Sequence, residues 1–200
     1  MNILLLGPQG SGKGTQAKRI AEAHGLPHIA TGDMLREAVE AGTDLGRRVR
    51  PILESGRLVP DELMVELIRE RLEQPDTEPG FILDGFPRTL AQADALDAML
   101  REIGRELDVV FEFQLDDDVA RERMLGRARE ENRADDTPEA IETRLRLYHE
   151  QTEPVIEHYR ATGKLVGVHA DRPVGEVFRE IEQVLDAMLS RAGGERARTS

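Results

Sequence analysis

Short apolar runs alternate with longer segments of helical periodicity along most of this chain, and that alternation narrows the possible folds more than any other feature. NILLL at 2–6 precedes a helical pattern at 13–24, and FILD at 81–84 precedes one at 89–103. VVFEFQL at 109–115 precedes one at 117–128, and KLVGV at 164–168 precedes one at 173–189. Strands that are apolar without interruption are buried on both faces, and the helices that return between them supply the cover. The pattern therefore predicts an α/β fold built on a parallel sheet. PHIA at 27–30 is a further, shorter strand candidate.

With 200 residues the chain suits one sizeable core and reads as a single domain. Two regions depart from the simple alternation. Residues 31–73 carry DMLREAVEAG, LGRRVRPILESG and DELMVELIRERL, three helical patterns with no strand between them, which reads as a helical insertion. GRAREENRADD at 126–136 is polar and aperiodic, and reads as an exposed loop. Thr137 and Pro138 then form the N-cap and first turn of a helix reaching about residue 161, which Pro154 must kink or restart. RAGGERARTS at 191–200 reads as a flexible tail.

Bulk properties exclude several classes. The net charge of -12 argues against nucleic acid as a general partner, because such binding is driven by cations that displace counterions from phosphates. No apolar stretch approaches the ~20 residues of a membrane span. MNILLLGP is too short and lacks the leading positive charge of a secretion signal, so a cytoplasmic location is expected. Without cysteine there are no disulfides and no thiolate metal site, and the five histidines show no paired metal-binding spacing. Any phosphate binding must be local. Of the 27 lysines and arginines only Lys13, Lys18 and Lys164 are lysine, so a lysine inside a glycine loop carries more information than it would elsewhere.

That loop is GPQGSGKGT, Gly7 to Thr15. A parallel strand that ends in glycines and opens into a helix gathers backbone N–H groups and the positive end of the helix dipole around one point, which suits a phosphate. Gly7, Gly12 and Lys13 match the opening of the phosphate-binding loop, with Lys13 able to reach the outer phosphates of a nucleoside triphosphate. The strict pattern has Ser or Thr directly after the lysine, whereas here Gly14 precedes Thr15. A glycine turn of purely structural use is the competing reading.

GxxGxGKGT is the variant seen in nucleoside monophosphate kinases, and over nearly its whole length the chain resembles the adenylate kinase family. Gln9 stands where that family usually has proline. The resemblance implies a P-loop NTPase-type sheet of five parallel strands and the Mg2+-dependent reaction ATP + AMP = 2 ADP, in adenine nucleotide homeostasis and salvage. It also implies a monomer. Gly10, Ser11, Gly12, Lys13, Gly14 and Thr15 would hold the ATP phosphates. In ATGDMLR, Thr31 would contact the acceptor base, with Gly32 beside it, and Arg36 the acceptor phosphate; the backbone at Arg57, Leu58 and Val59 would close on the AMP. Taken alone, TGD also reads as a plain helix start.

FILDGFPRTLAQ places an acid and an arginine just past the C-terminal end of an apolar strand, where open α/β sheets gather ligands. By the resemblance Arg88 clamps phosphate, Asp84 is an outer partner of the magnesium waters, and Gly85, Phe86 and Pro87 line the AMP site. Gln92 has a donor and an acceptor to offer adenine; together with Thr31 and GFPRT it favours AMP over pyrimidine monophosphates. Arg123 and Arg127 lie one helical turn apart, and Arg133 and Arg144 follow across the polar loop. The resemblance places the first pair on the triphosphate and the transferred group and brings the second pair in as a lid closes. Arg172 would lie by the ATP base.

Asp135 and Asp136 either orient those arginines or cap the next helix, and DDD at 116–118 reads as a helix start. The implied division is a core of 1–30, 61–125 and 137–190, a monophosphate-binding insertion of 31–60 and a short lid of 126–136 with Gly126 as hinge. Rival readings are a UMP or CMP kinase, a GTP-hydrolysing switch and a nonenzymatic adenylate sensor. The switch would carry NKxD and DxxG, neither of which occurs, and the sensor would not need the arginine cluster.

Overall fold

The computed structural model describes residues 1–131, 133 and 135–196. Its centre is a five-stranded, wholly parallel sheet in the order β2-β3-β1-β4-β5, formed by β1 Asn2–Leu6, β2 His28–Ala30, β3 Phe81–Asp84, β4 Val109–Gln114 and β5 Leu165–His169. Every residue of β1 is buried, as its unbroken apolar run requires of a central parallel strand. The expected α/β architecture is the one observed, including the marginal strand at 28–30.

Side chains alternate across a strand, so β1 feeds two separate cores. Leu4 and Leu6 join Phe81, Leu83 and Val110 in one, and Ile3 and Leu5 join Ile82, Phe111 and Phe113 in the other. The second core is closed by α1 Lys13–His24, through Ala17 and Ile20, and by α9 Val174–Arg196, through Val177, Ile181 and Leu185. The first is closed by α4 Asp61–Leu72, α5 Leu90–Glu102 and α8 Glu153–Arg160, with α2 Thr31–Glu40 and α3 Asp44–Glu54 packed at its edge. A smaller cluster of Ala120, Met124, Ile141 and Leu145 joins α6 Asp117–Glu130 to α7 Pro138–Leu147.

The chain runs from β1 to the β2 edge, returns to place β3 beside β1, and only then crosses to β4 on the other side of β1. The strand order therefore reverses at β1, and the crevice above the C-terminal ends of β3, β1 and β4 is the place where such sheets take ligands.

Three local features differ from the sequence reading. The polar loop expected at 126–136 is shorter, because α6 continues to Glu130; Asn132 and Ala134 lie outside the described residues. Gly126 consequently sits within α6. The helix expected from 138 to about 161 is divided by a π-helical segment, Tyr148–Thr152, before α8 restarts with Pro154 in its first turn. Pro154 has no N–H to continue the regular ladder, and the Glu153 N–H reaches five residues back to the Tyr148 carbonyl instead. At the C-terminus α9 runs to Arg196, beyond the 189 expected; residues 197–200 of the tail read from sequence lie outside the described residues.

Candidate active site

The glycine loop joins β1 to α1 and is pressed between β4 and α6. Gly10 has φ of 82°, and a Cβ there would lie 2.7 Å from the Ala120 carbonyl oxygen, so both conformation and contact demand glycine. Gly12, φ 87°, occupies the N-cap of α1; it makes no side-chain cap and no acid follows in the first turn. The N-terminal amides and the dipole end of α1 are thus left for an anion.

Lys13 folds back over this loop, its Nζ donating to the carbonyls of Gly7 and Pro8, both at 2.8 Å, and to Ser11 Oγ at 3.3 Å. Withdrawal from water pushes its pKa down to about 8; Asp84 opposes that shift, and Arg88 and Arg127 add to it. Asp84 ends β3 on the same wall. Burial acts to raise its carboxyl, but the His28 contact at 3.5 Å and the charges of Lys13 and Arg88 outweigh it and hold the group below the usual carboxylate range. Asp84 is therefore an anion at neutral pH, facing the loop: a Cβ on Gly14 would be 3.6 Å from its Oδ2.

After β3, Arg88 turns back so that its Nε donates to the Gly85 carbonyl at 2.7 Å. Withdrawal from water, with Arg144 nearby, lowers its pKa to about 10, Asp84 opposing and Arg36 adding to the shift. It remains a cation at neutral pH. The Thr152 hydroxyl, from the π-helical segment, donates to the Arg88 carbonyl at 3.0 Å. Thr89 caps α5, accepting from the Gln92 N–H at 3.2 Å.

Gln92, 2 % exposed, has both ends of its amide engaged: Oε1 accepts from the Arg88 backbone N–H and Nε2 donates to Asp61 Oδ1, each at 2.7 Å. Thr31, 1 % exposed, donates its hydroxyl to the Asp84 carbonyl at 3.3 Å.

Two buried acids gather the arginines beyond α6. Asp136 Oδ2 accepts from Arg127 Nε at 2.9 Å and Asp136 Oδ1 from Arg144, while Asp135 Oδ2 pairs with Arg144 at 2.8 Å and lies 3.8 Å from Arg36. Thr137, not either aspartate, caps α7, accepting from the Ala140 N–H. Of the two roles left open for these acids, the structure assigns the orienting one. Arg133, outside α7 and so not sharing a helix with Arg144, is tethered to Glu131 at 2.5 Å. Arg123 donates to the Ala170 carbonyl at 2.9 Å, and Arg172 pairs with Glu180 and with the His169 carbonyl.

Most of these groups face one cavity of about 1120 Å³; Asp61, His28, Thr89 and Asp136 stand behind its lining. The loop residues Gly10 to Thr15 lie on its wall, as do Asp84 to Arg88 and Gln92. So do Thr31, Gly32 and Arg36, and the segment Arg57, Leu58 and Val59. Arg123, Arg127, Arg133, Arg144 and Arg172 complete it, so every site candidate named from the sequence is brought to the same space. Such a volume exceeds the ~300–1,000 Å³ usual for one small ligand. Sequence reasoning missed His28, Asp61 and Thr152, single polar positions whose partners lie far along the chain; only the position of Asp61 at the start of α4 drew on any local signal.

The family model described as Adenylate kinase matches residues 5–164. Among curated relatives, the adenylate kinase of Parvibaculum lavamentivorans is 49% identical over 98% of this chain and 100% of its own length. That of Archaeoglobus fulgidus is 42% identical over 95% of the chain and 100% of its own length, and that of Stenotrophomonas maltophilia strain K279a is 46% identical over 94% and 99%.

Proposed function

The chain belongs to the adenylate kinase family and transfers a phosphoryl group between ATP and AMP; from that premise we infer that this cavity holds both nucleotides at once, phosphate against phosphate. The observation that carries this reading is the meeting, in one space, of a glycine loop with Lys13 and an arginine cluster that reaches Arg36 and Arg88 on the opposite wall. ATP lies along Gly10 to Thr15, with Arg123, Arg127 and Arg172. AMP lies along Thr31, Gly32 and Arg36, with Arg57 to Val59, Gly85 to Arg88 and Gln92. Arg133 and Arg144 serve the acceptor end.

Phosphoryl transfer needs positioned reactants and neutralised charge more than covalent help from the protein. The acceptor is an ionised phosphate, so no strong general base is required and no side chain need be phosphorylated. In the free protein Lys13 is satisfied by its own loop carbonyls, and a phosphate oxygen takes their place at the ammonium. Arg88 and Arg36 present planar forks that grip phosphate oxygens bidentately. Asp135 and Asp136 keep Arg127 and Arg144 from repelling each other before substrate arrives.

Magnesium fits the donors present: Asp84 is held ionised beside the loop and Thr15 adds a hydroxyl on the same wall, hard oxygens of the kind this ion prefers, commonly through its own waters. Bound with ATP it would offset charge on the phosphates. The insertion read at 31–60 and the short lid read at 126–136 fold down over the substrates, since water left in the site would compete for the phosphoryl group. On the family resemblance alone, the protein acts as a cytoplasmic monomer that balances and salvages adenine nucleotides.

Incubation with ADP and magnesium alone tests the reading. ATP and AMP appear together in equal amounts if two ADP molecules sit end to end; AMP and free phosphate without ATP would mark a hydrolase and overturn it.

A further inference from the structure

Gln92 is the residue that meets the acceptor base in the reading above, and an amide side chain is ambiguous in that role. Turned one way it donates to adenine N1 and accepts from the 6-amino group. Turned the other way it suits hypoxanthine or guanine, whose N1 carries hydrogen and whose position 6 carries oxygen. An unrestrained glutamine would serve either.

Here it is restrained. The Arg88 backbone N–H only donates, and it points at Oε1 from 2.7 Å. The Asp61 carboxylate only accepts, and its Oδ1 receives Nε2 at 2.7 Å and the Thr89 hydroxyl at 3.0 Å. Turning the amide over would set N–H against N–H and oxygen against oxygen in a position 2 % exposed, trading two hydrogen bonds for two repulsive contacts. One hydrogen of Nε2 and one lone pair of Oε1 remain for a ligand in the cavity that Gln92 lines. Asp61 itself does not line that cavity; it faces another recess, of about 350 Å³, with Pro60 and Thr89.

We propose that Asp61 is a positioning residue for base selection, locking the Gln92 amide in the order that adenine requires and 6-oxopurines cannot satisfy. The proposal rests on the reading that Gln92 faces the acceptor base. Because Asp61 opens α4, the lock also ties the start of that helix to the start of α5.

The test compares kcat/KM for AMP with that for IMP, at fixed MgATP, in the native protein and in Asp61→Asn and Asp61→Ala. Without an acceptor there, as in Asp61→Ala, the amide can turn and the AMP to IMP ratio is expected to fall at least tenfold, whereas Asp61→Asn, whose carbonyl oxygen can still receive Nε2, holds the ratio closer to native. A residue that only stabilised the fold would lower both substrates together and leave the ratio within twofold of native in Asp61→Ala, which would overturn the proposal. Should both variants misfold, nuclear magnetic resonance of the native protein decides. On adding AMP, one side-chain N–H of Gln92 shifts while the one held by Asp61 keeps its position; movement of both would contradict the lock. A native protein that fails to use AMP at all would instead defeat the assignment of the acceptor site.

Discussion

Lys13 carries a proton that its surroundings hold less firmly than water would, and this gives the site a pH signature. Below about pH 8 the ammonium is charged and draws phosphate; as pH rises through about 8 the free enzyme loses that charge. We expect kcat/KM for MgATP to fall on the alkaline side with a break near 8, and Lys13→Arg to abolish the break. Bound phosphate raises the lysine's pKa, so kcat at saturation stays level to higher pH. The effect on folding has the opposite sign. Between about 8 and 10.5 the unfolded chain retains a proton that the folded chain has shed, so this residue makes folding more favourable as pH rises through that window. Replacing the ammonium altogether, Lys13→Met, should lower turnover about a hundredfold or more while leaving the circular dichroism unchanged. Near-native activity in that variant would remove Lys13 from the transfer step.

At the level of elements, the divided region from α6 to α8 shows what a sequence discloses and what it conceals. The strands were legible because each is a short apolar run between helices, and apolar burial on two faces leaves an unmistakable imprint. The last turn of α6 left none. Gly126, Arg127 and Glu130 face the cavity and not a core, so the helix continues without the apolar period by which helices are recognised. The arginines were legible as a cluster and Thr137 as the cap of the next helix, whereas the part played by Asp135 and Asp136 lies in ion pairs with Arg127 and Arg144 that only the folded chain brings together. His28 and Asp61 were invisible for a related reason: each acts through tertiary contacts alone, and a lone polar residue makes no pattern.

The side chain of Asp136 is fully buried between Arg127 and Arg144. Asp136→Ala would strip Arg127 of its carboxylate and leave Arg144 with Asp135 alone, at a cost of about 3 kcal/mol, since removing one member of a buried pair leaves its partner uncompensated. Thermal unfolding should register this as a fall of roughly 6 °C or more in Tm, with turnover reduced as well. An unchanged Tm would show that the acids are incidental to the cluster.

Across the whole molecule, the sheet reverses its strand order at β1, and the crevice this creates is filled from three directions. The glycine loop supplies amides and Lys13, the segment from Ala30 to Val59 supplies one wall, and α6 with α7 supplies the other. Each wall belongs to a different stretch of chain, which suits a reaction that must admit two nucleotides and then exclude water. The account stands on their simultaneous presence in that one space. Calorimetric titration with a bisubstrate mimic, two adenosines joined through five phosphates, tests it most directly. We expect one mimic per chain, competitive with both ATP and AMP, and bound at least tenfold more weakly after either Lys13→Met at one end or Arg36→Ala at the other. Two mimics per chain, or affinity indifferent to either substitution, would contradict it.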